Sequence, residues 1–226
     1  MTIEIFDAIA PTYDRVNHIL SLGMDDGWRR MIPRFLPPGD GLQVLDLAAG
    51  TAEAALVLGR VGRVATVTGV DTAESMLAIG RRKIERDGLA ARVSLVSGDA
   101  MALQFKDQRF DAVSVAFGVR NFPDLMKGLA EAFRVLRPGG RLIILEFSTP
   151  LGWWQKMGHA FYMGSVVPWV GWCLTGRKEP YMYLSRTVRS FPSGERFMRI
   201  IRQAGFSAVM RCELAMGAVT IYAATR

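Results

Sequence analysis

Three aspartates stand at the ends of hydrophobic runs, each followed by small residues, and their placement suits a nucleoside. Asp46 closes the run Leu42-Gln-Val-Leu-Asp-Leu47 and leads into Ala48-Ala49-Gly50-Thr51-Ala52. Asp71 follows the run from Arg63 to Val70, and Asp99 lies in Gly98-Asp99-Ala100-Met101. A carboxylate after the second run can accept both hydroxyls of a ribose, and one after the third can accept from the exocyclic amine of an adenine. The first loop carries one glycine, not the G-x-G-x-x-G that lets a pyrophosphate sit on a helix N-terminus. Asp46 at its mouth repels phosphate and suits a cation. Taken singly, each aspartate reads as a helix cap or turn residue. Together they fit an adenosine with a positively charged, phosphate-free tail, and S-adenosylmethionine is such a molecule. A fourth loop, Phe117-Gly118-Val119-Arg120-Asn121, adds a cation and an amide.

The elements that must hold these residues alternate. Strands are expected at Leu42–Leu47, Arg63–Val70, Val93–Val96, Phe110–Ala116 and Arg141–Phe147. Helices are expected at Thr51–Gly59, Ala73–Asp87 and Pro123–Leu136. Such alternation predicts right-handed crossovers and a doubly wound parallel sheet, in which ligands bind beyond the carboxyl ends of the strands. A further helix is expected near Gly194–Ala204. Phe206–Glu213 and Ala218–Thr225, joined by four residues, can only form an antiparallel hairpin. The predicted fold is therefore α/β and Rossmann-like: a mixed seven-stranded sheet, a helical insertion after strand five and a C-terminal hairpin. The 226 residues suit one domain. Its expected parts are a helical lid (1–40), a cofactor sheet (41–150), a substrate- and membrane-facing insertion (151–192) and the C-terminal helix and hairpin (193–226).

The charge is uneven. Residues 1–150 carry 18 basic and 18 acidic side chains, whereas 151–226 carry 10 and 3, so the whole net +7 lies in the last third. A neutral two-thirds fits nucleic acid poorly, and the fourth loop lacks the Asn-Pro-Pro-Tyr type of sequence used for flipped bases, so no nucleic-acid partner is expected. Anionic lipid is the better partner. Met157–Gly176 has no formal charge over twenty residues, but its four glycines, proline and histidine favour an interfacial or substrate-lining helix pair over a membrane span. Trp153, Trp154, Phe161, Tyr162, Trp169 and Trp172 read as core, or as an apolar tunnel for a prenyl tail. Arg177 and Lys178 would then lie at lipid headgroups. Glu4 and Asp7 argue against a signal peptide. Cys173 and Cys212 lack metal or redox spacing, which favours a reducing, cytoplasmic setting. His18 and His159 are isolated, read as structural, and no metal is expected. Arg196, Arg199 and Arg202 recur at helical spacing, a solvated face first and a phospholipid or homodimer contact second.

VLDLAAGTAE, GVDTAESML and GDAMAL, in this order, resemble the class I S-adenosylmethionine-dependent methyltransferases. Four longer stretches resemble the menaquinone/ubiquinone C-methyltransferases. They are Tyr13-Asp-Arg-Val-Asn17 with Ser21-Leu-Gly23 and Trp28-Arg-Arg30, the run Arg134–Ser148, the Phe117–Asn121 loop, and Tyr181–Pro192. Two positions depart from that family's pattern: Asp25 stands where a His is usual, and Ala52-Glu53 where Gly-Asp is usual. At positive φ, Ala52 would be costly.

The resemblance implies methylation of a ring carbon in a polyprenylated hydroquinone, with S-adenosylmethionine as donor. The basic, aromatic last third adds a cytoplasmic enzyme lying on the inner face of the membrane. The alternatives are a methyltransferase of another small aromatic or lipid and a cofactor-binding scaffold without turnover. The cofactor set is then Tyr13, Asp46, Ala48, Gly50, Thr51, Asp71, Thr72, Met76, Asp99, Ala100 and Phe117. For the chemistry, Arg120 would stabilise a developing phenolate, Asn121 would orient a ring hydroxyl, and Asp25 or a water would take the proton. The plainer alternatives are that Arg120 pairs with a carboxylate and that Asn121 caps the helix opening at Pro123.

Overall fold

The computed structural model describes residues 9–150 and 152–226, so Glu4, Asp7 and the start of the expected lid lie outside the described residues. The hydrophobic runs form β1 (Leu42–Leu47), β2 (Val64–Asp71), β3 (Val93–Ser97), β4 (Phe110–Ala116) and β5 (Leu136–Phe147), followed near the end of the chain by β6 (Ser207–Leu214) and β7 (Val219–Thr225). They build one sheet in the order β3-β2-β1-β4-β5-β7-β6. The first five are parallel, and β7 runs antiparallel to both β5 and β6. Strand order reverses between β1 and β4, which opens a crevice at their carboxyl ends.

Helices cover both faces of this sheet, which is why its strands read as nearly continuous apolar runs. On one face Val44, Val67, Ala112, Ile143 and Ile221 pack with α3 (Glu53–Gly59) and α4 (Glu74–Arg86). On the other, Leu45, Val113, Ile144 and Tyr222 pack with α5 (Leu125–Val135) and α9 (Glu195–Gln203). Fully burying each of the Val, Leu and Ile side chains among these contributes about 1.5–3 kcal/mol. Arg196, Arg199 and Arg202 are exposed on α9, and Arg202 pairs with Glu195.

Two boundaries differ from the sequence pattern. β5 begins at Leu136 rather than Arg141, because Arg137-Pro-Gly-Gly140 forms an irregularity inside the strand instead of ending it; the register shifts between Phe110 and Ala112. Gly140 is required there, since a Cβ would lie 2.8 Å from Arg137 O and 3.0 Å from Asp111 O. α5 begins at Leu125, and its cap is Asp124, whose Oδ1 accepts from Lys127 N at 3.0 Å. Asn121 therefore does not cap this helix.

The expected lid and insertion are helical. α1 (Tyr13–Leu20) and α2 (Met24–Arg29) precede the sheet, and α6 (Trp153–Phe161), α7 (Val167–Thr175) and α8 (Glu179–Ser190) follow β5. A π turn over Tyr162–Val166 joins α6 to α7. Among the described residues no helix is long and apolar enough to cross a membrane. The inner side of the insertion buries Met163, Val167, Tyr181 and Val188 with Val16 of α1. Both expectations for its aromatics, core and tunnel, are corrected by the structure. Of the six, only Tyr162 lines a cavity; Trp153, Trp154, Phe161, Trp169 and Trp172 are 52–67% exposed. Helical phase places them on the outer side, and Trp153 and Trp154 stack at 3.7 Å.

Candidate active site

The carboxyl ends of β1, β2, β3 and β4 release four loops into the crevice. The first is strained: Ala48, Gly50 and Ala52 all have positive φ, Ala52 at +69°. This is the costly case for Ala52, whose side chain is fully buried at the N-cap of α3. Phe117, in the fourth loop, also has positive φ, +56°. The two loops press together, for a Cβ on Gly118 would lie 2.4 Å from that of Ala48. Strain concentrated in this way is a mark of functional loops.

Two cavities, of about 380 and 470 Å³, meet at these loops and share Tyr13, Ala48, Gly50, Ala116 and Phe117 as walls. The smaller is lined by Asp71, Thr72, Met76, Asp99, Ala100 and Asn121. Asp71 fixes its shape by accepting from Gly50 N at 2.8 Å and from Ala73 N at 2.9 Å, tying the first loop to the second. Asp99 Oδ1 accepts from Met101 N at 2.9 Å, which is its turn role. Asp99 lies where an adenine amine would be met, and Asp71 where a ribose would lie.

The larger cavity takes Asp25, Asp46, Thr51 and Arg120. Asp46 is 1% exposed, and neither of its carboxylate oxygens has a hydrogen-bond partner among the described residues. Burial, reinforced by the Asp71 carboxylate, pushes its pKa up to about 7. Ser114 faces it across the β1–β4 register, near enough to oppose that rise without meeting hydrogen-bond geometry. An unpartnered buried carboxylate is costly alone and is relieved by a cation. Asp46 in the larger cavity, beside a smaller one lined with Asp71 and Asp99, fits the cationic end and the adenosine of S-adenosylmethionine.

α1 closes over the first loop. Thr51 Oγ1 donates to Asp14 at 2.5 Å, and Lys83 Nζ bridges Asp14 and Glu53 at 2.5 Å each. Tyr162 donates to Leu20 O, joining the insertion to the same segment. Gly23, at φ +76°, turns the chain so that α2 folds back on α1. His18 thereby meets Asp25 at 3.0 Å and is not isolated. Asp25 Oδ1 also accepts from Ser21 at 2.8 Å, and Oδ2 accepts from Arg29 at 2.5 Å. Burial raises the pKa of Asp25, but bonds from Arg29, Ser21 and His18 outweigh it and hold the carboxyl below its usual range. His18, Asp25 and Asp26 bring ligand atoms within 4.8 Å of one another, yet Arg29 already occupies the carboxylate at their centre.

Arg120 lies between β4 and the insertion. Its Nη1 donates to Glu146 Oε1 at 2.7 Å and to Phe117 O at 2.5 Å, while its Nε is buried without a partner among the described residues. The guanidinium carbon stands 5.3 Å from the Phe147 ring centre. Glu146 is fully buried and also accepts from Phe147 N at 2.8 Å. Asn121 Oδ1 accepts from Tyr183 of α8 at 3.2 Å. Glu146 and Tyr183 escaped sequence reasoning. Glu146 was within reach of it, since it too stands at the carboxyl end of a parallel strand.

Every residue expected at the site lines one of these two cavities. A Rossmann-like sheet with an acidic pocket of a size and lining that suit a nucleoside, beside a buried carboxylate without a partner among the described residues, is the arrangement expected of a class I S-adenosylmethionine-dependent methyltransferase. Solved structures share the fold: a methyltransferase from Thermotoga maritima (21% identity, 98% of each chain, TM-score 0.69) and one from Aquifex aeolicus (17%, 94% of this chain and 98% of that one, TM-score 0.65). The sequence profile of the ubiE/COQ5 methyltransferase family matches residues 2–226, and the chain belongs to that family. Relatives include the demethylmenaquinone methyltransferases of Bacteroides fragilis and Thermus thermophilus. The first is 41% identical over 99% of this chain and 91% of its own, and the second 43% over 90% and 91%. The ubiquinone/menaquinone biosynthesis C-methyltransferase UbiE of Geotalea daltonii is 36% identical over 97% and 93%. The chain is thus an S-adenosylmethionine-dependent methyltransferase.

Proposed function

We propose that this enzyme methylates a ring carbon of a polyprenylated hydroquinone, demethylmenaquinol or a polyprenyl-methoxy-benzoquinol, at the cytoplasmic face of a membrane. The observation that carries the reading is the wall shared by the two cavities. A polar adenosine pocket and a larger, mostly apolar chamber touch only through Tyr13, Ala48, Gly50, Ala116 and Phe117. A transferred methyl would cross there. The names of the relatives supply the substrate class.

When bound, S-adenosylmethionine supplies an electrophilic sulfonium methyl. Asp46 faces that cation, and Asp71, Thr72, Met76, Asp99 and Ala100 hold the adenosine. In the larger chamber Arg120, kept rigid by Glu146, offers a buried N–H to a developing phenolate. Asn121, held by Tyr183, orients a ring hydroxyl from the neighbouring pocket. Asp25 fixes Arg29 and the α1–α2 turn over the chamber. Trp28 lies 6.1 Å from Phe117 and helps to exclude water. The prenyl tail leaves between α6 and the α1–α2 turn, and the five exposed aromatics meet the lipid.

The test is transfer of labelled methyl to the two reduced quinols side by side, with the oxidised quinones as controls. Transfer to a reduced quinol alone is expected. Efficient labelling of an unrelated small aromatic, with neither quinol labelled, refutes the substrate class.

A further inference from the structure

We propose that His159 is the general base that removes the ring-hydroxyl proton, an inference that rests on the hydroquinone reading above. His159 lies in the last turn of α6, half-buried, and lines the larger chamber beside Gly158, Tyr162 and Met163. No hydrogen bond reaches its ring among the described residues, so one nitrogen is an acceptor in an otherwise apolar wall.

The other titratable groups of that chamber are committed elsewhere. Asp25 accepts hydrogen bonds at both oxygens, from Arg29, Ser21 and His18. Glu53 is paired with Lys83, and Tyr162 donates to Leu20 O. Asp46 is enclosed on β1 and faces the cationic side of the cofactor. Arg29 and Arg120 carry no acceptor, and Tyr13 is a phenol like the substrate.

Asp25 and Arg29 of α2, Asp46 of β1, Glu53 of α3 and Arg120 of the fourth loop are the other charged or titratable groups on the walls of the same chamber, with Tyr13 and Tyr162. From α8, Arg189 approaches its ring. Burial first, and then Arg189, hold the imidazole below its ordinary pKa, so it is neutral at pH 7. A neutral imidazole can accept the proton of a phenol whose pKa is about 10, an uphill transfer that is drawn forward as the ring carbon bonds to the methyl.

The step balances. The hydroxyl proton passes to a ring nitrogen of His159, and the O–H pair stays on oxygen. The ortho ring carbon bonds to the methyl carbon as the C–S bond breaks with its pair on sulfur. The C–H proton then passes to water, its bonding pair restores aromaticity, and the imidazolium gives its proton back to the oxygen. One proton is released per methyl transferred.

Two measurements test this. His159→Gln is expected to lower kcat at pH 7 by about 10²–10⁴-fold, with cofactor affinity and melting temperature near wild type. The wild-type kcat should fall on the acid side with one protonation. The variant should lack that limb and gain about tenfold per pH unit toward alkaline pH as free phenolate forms. The second readout needs no turnover or donor. The chain has two histidines, so ¹³C-histidine NMR gives two imidazole signals, and His18→Gln assigns them. Adding the reduced quinol to the wild-type apoprotein should shift the His159 signal. A loss below tenfold at pH 7, an acid limb that persists in the variant, or a His159 signal indifferent to quinol overturns the assignment. If His159→Gln does not fold, the wild-type NMR titration decides. A wild type that labels no hydroquinone defeats the substrate reading instead, a separate outcome.

Discussion

Asp46 offers a quantitative test through pH. Its carboxyl has an ordinary pKa of 3.8 in the unfolded chain and about 7 in the fold. Between these values the unfolded chain has lost the proton while the native one keeps it, so stability falls as pH rises through this window. The difference is about 3 units, and at about 1.4 kcal/mol per unit the loss reaches roughly 4 kcal/mol near pH 7 and is flat above it. For a domain of this size each kcal/mol moves the melting temperature by about 2–4 °C, so Asp46 alone should lower it by roughly 8–16 °C between pH 4 and pH 7.5. Asp46→Asn has the same shape and no titration. Melting curves of wild type and variant across pH 4–8.5, taken without cofactor, isolate this group, because the other titrations cancel in the difference. The variant should gain on the wild type as pH rises.

Cofactor supplies the converse. A cation beside Asp46 favours its ionised form, so binding of S-adenosylmethionine at pH 6 should expel a fraction of a proton. Calorimetry in buffers of different ionisation enthalpy measures that release, and Asp46→Asn should abolish it. Parallel melting profiles for the two proteins, or binding without proton release, would refute the placement of Asp46 as a carboxylate awaiting a cation.

Three further outcomes follow from the geometry. Arg120 and Glu146 form a buried pair, their side chains 5% and 0% exposed, and losing one partner of such a pair costs about 3–5 kcal/mol. Urea unfolding of Arg120→Met, Glu146→Leu and the double variant should therefore show strong coupling, with the double costing well under the sum. Ala52 at φ +69° loses about 1–2 kcal/mol to left-handed backbone, close to what a buried methyl and the lower chain entropy of alanine return. Ala52→Gly should thus change stability by less than about 1 kcal/mol, while Ala52→Val, β-branched at positive φ, should be clearly destabilising; comparable costs would mean that φ is negative there. Trp153→Ser with Trp154→Ser should weaken binding to anionic vesicles by tenfold or more in a salt-sensitive way, and unchanged flotation of the double variant would count against lipid contact by α6.

The sheet was legible because apolar runs of strand length, separated by amphipathic stretches, admit few arrangements, and a four-residue link allows only a hairpin. Much of the candidate site followed from one rule, that side chains at the carboxyl ends of parallel strands share an edge, whereas Tyr13 and Asp25 come from the helices before the sheet. What escaped depends on backbone detail or on helical phase. The run containing Glu146 continues smoothly to Phe147, so the carboxylate read as strand interior. His18 and Asp25 are seven residues apart and meet only because Gly23 takes φ +76°. The tryptophans looked like a tunnel because their number was read without their phase: Gly158, His159, Tyr162 and Met163 face the chamber, and Trp153, Trp154, Phe161, Trp169 and Trp172 turn outward.

That reversal changes what the charge means. Within residues 151–192 there are five basic side chains, Lys156, Arg177, Lys178, Arg186 and Arg189, and one acidic, Glu179. Exposed aromatics on the same short helices would be a liability on a surface meeting only water. Cations beside exposed indoles suit a lipid headgroup layer, where the ring is half-immersed and the charge meets phosphate. A hydroquinone with a prenyl tail dissolves in that layer, and the chamber wall that carries His159 is the inner side of the helix whose outer side carries Trp153 and Trp154. One helix would then serve both contacts, so a change that moves α6 should alter vesicle binding and hydroquinone turnover together while leaving cofactor affinity, set by β1 to β4, where it was.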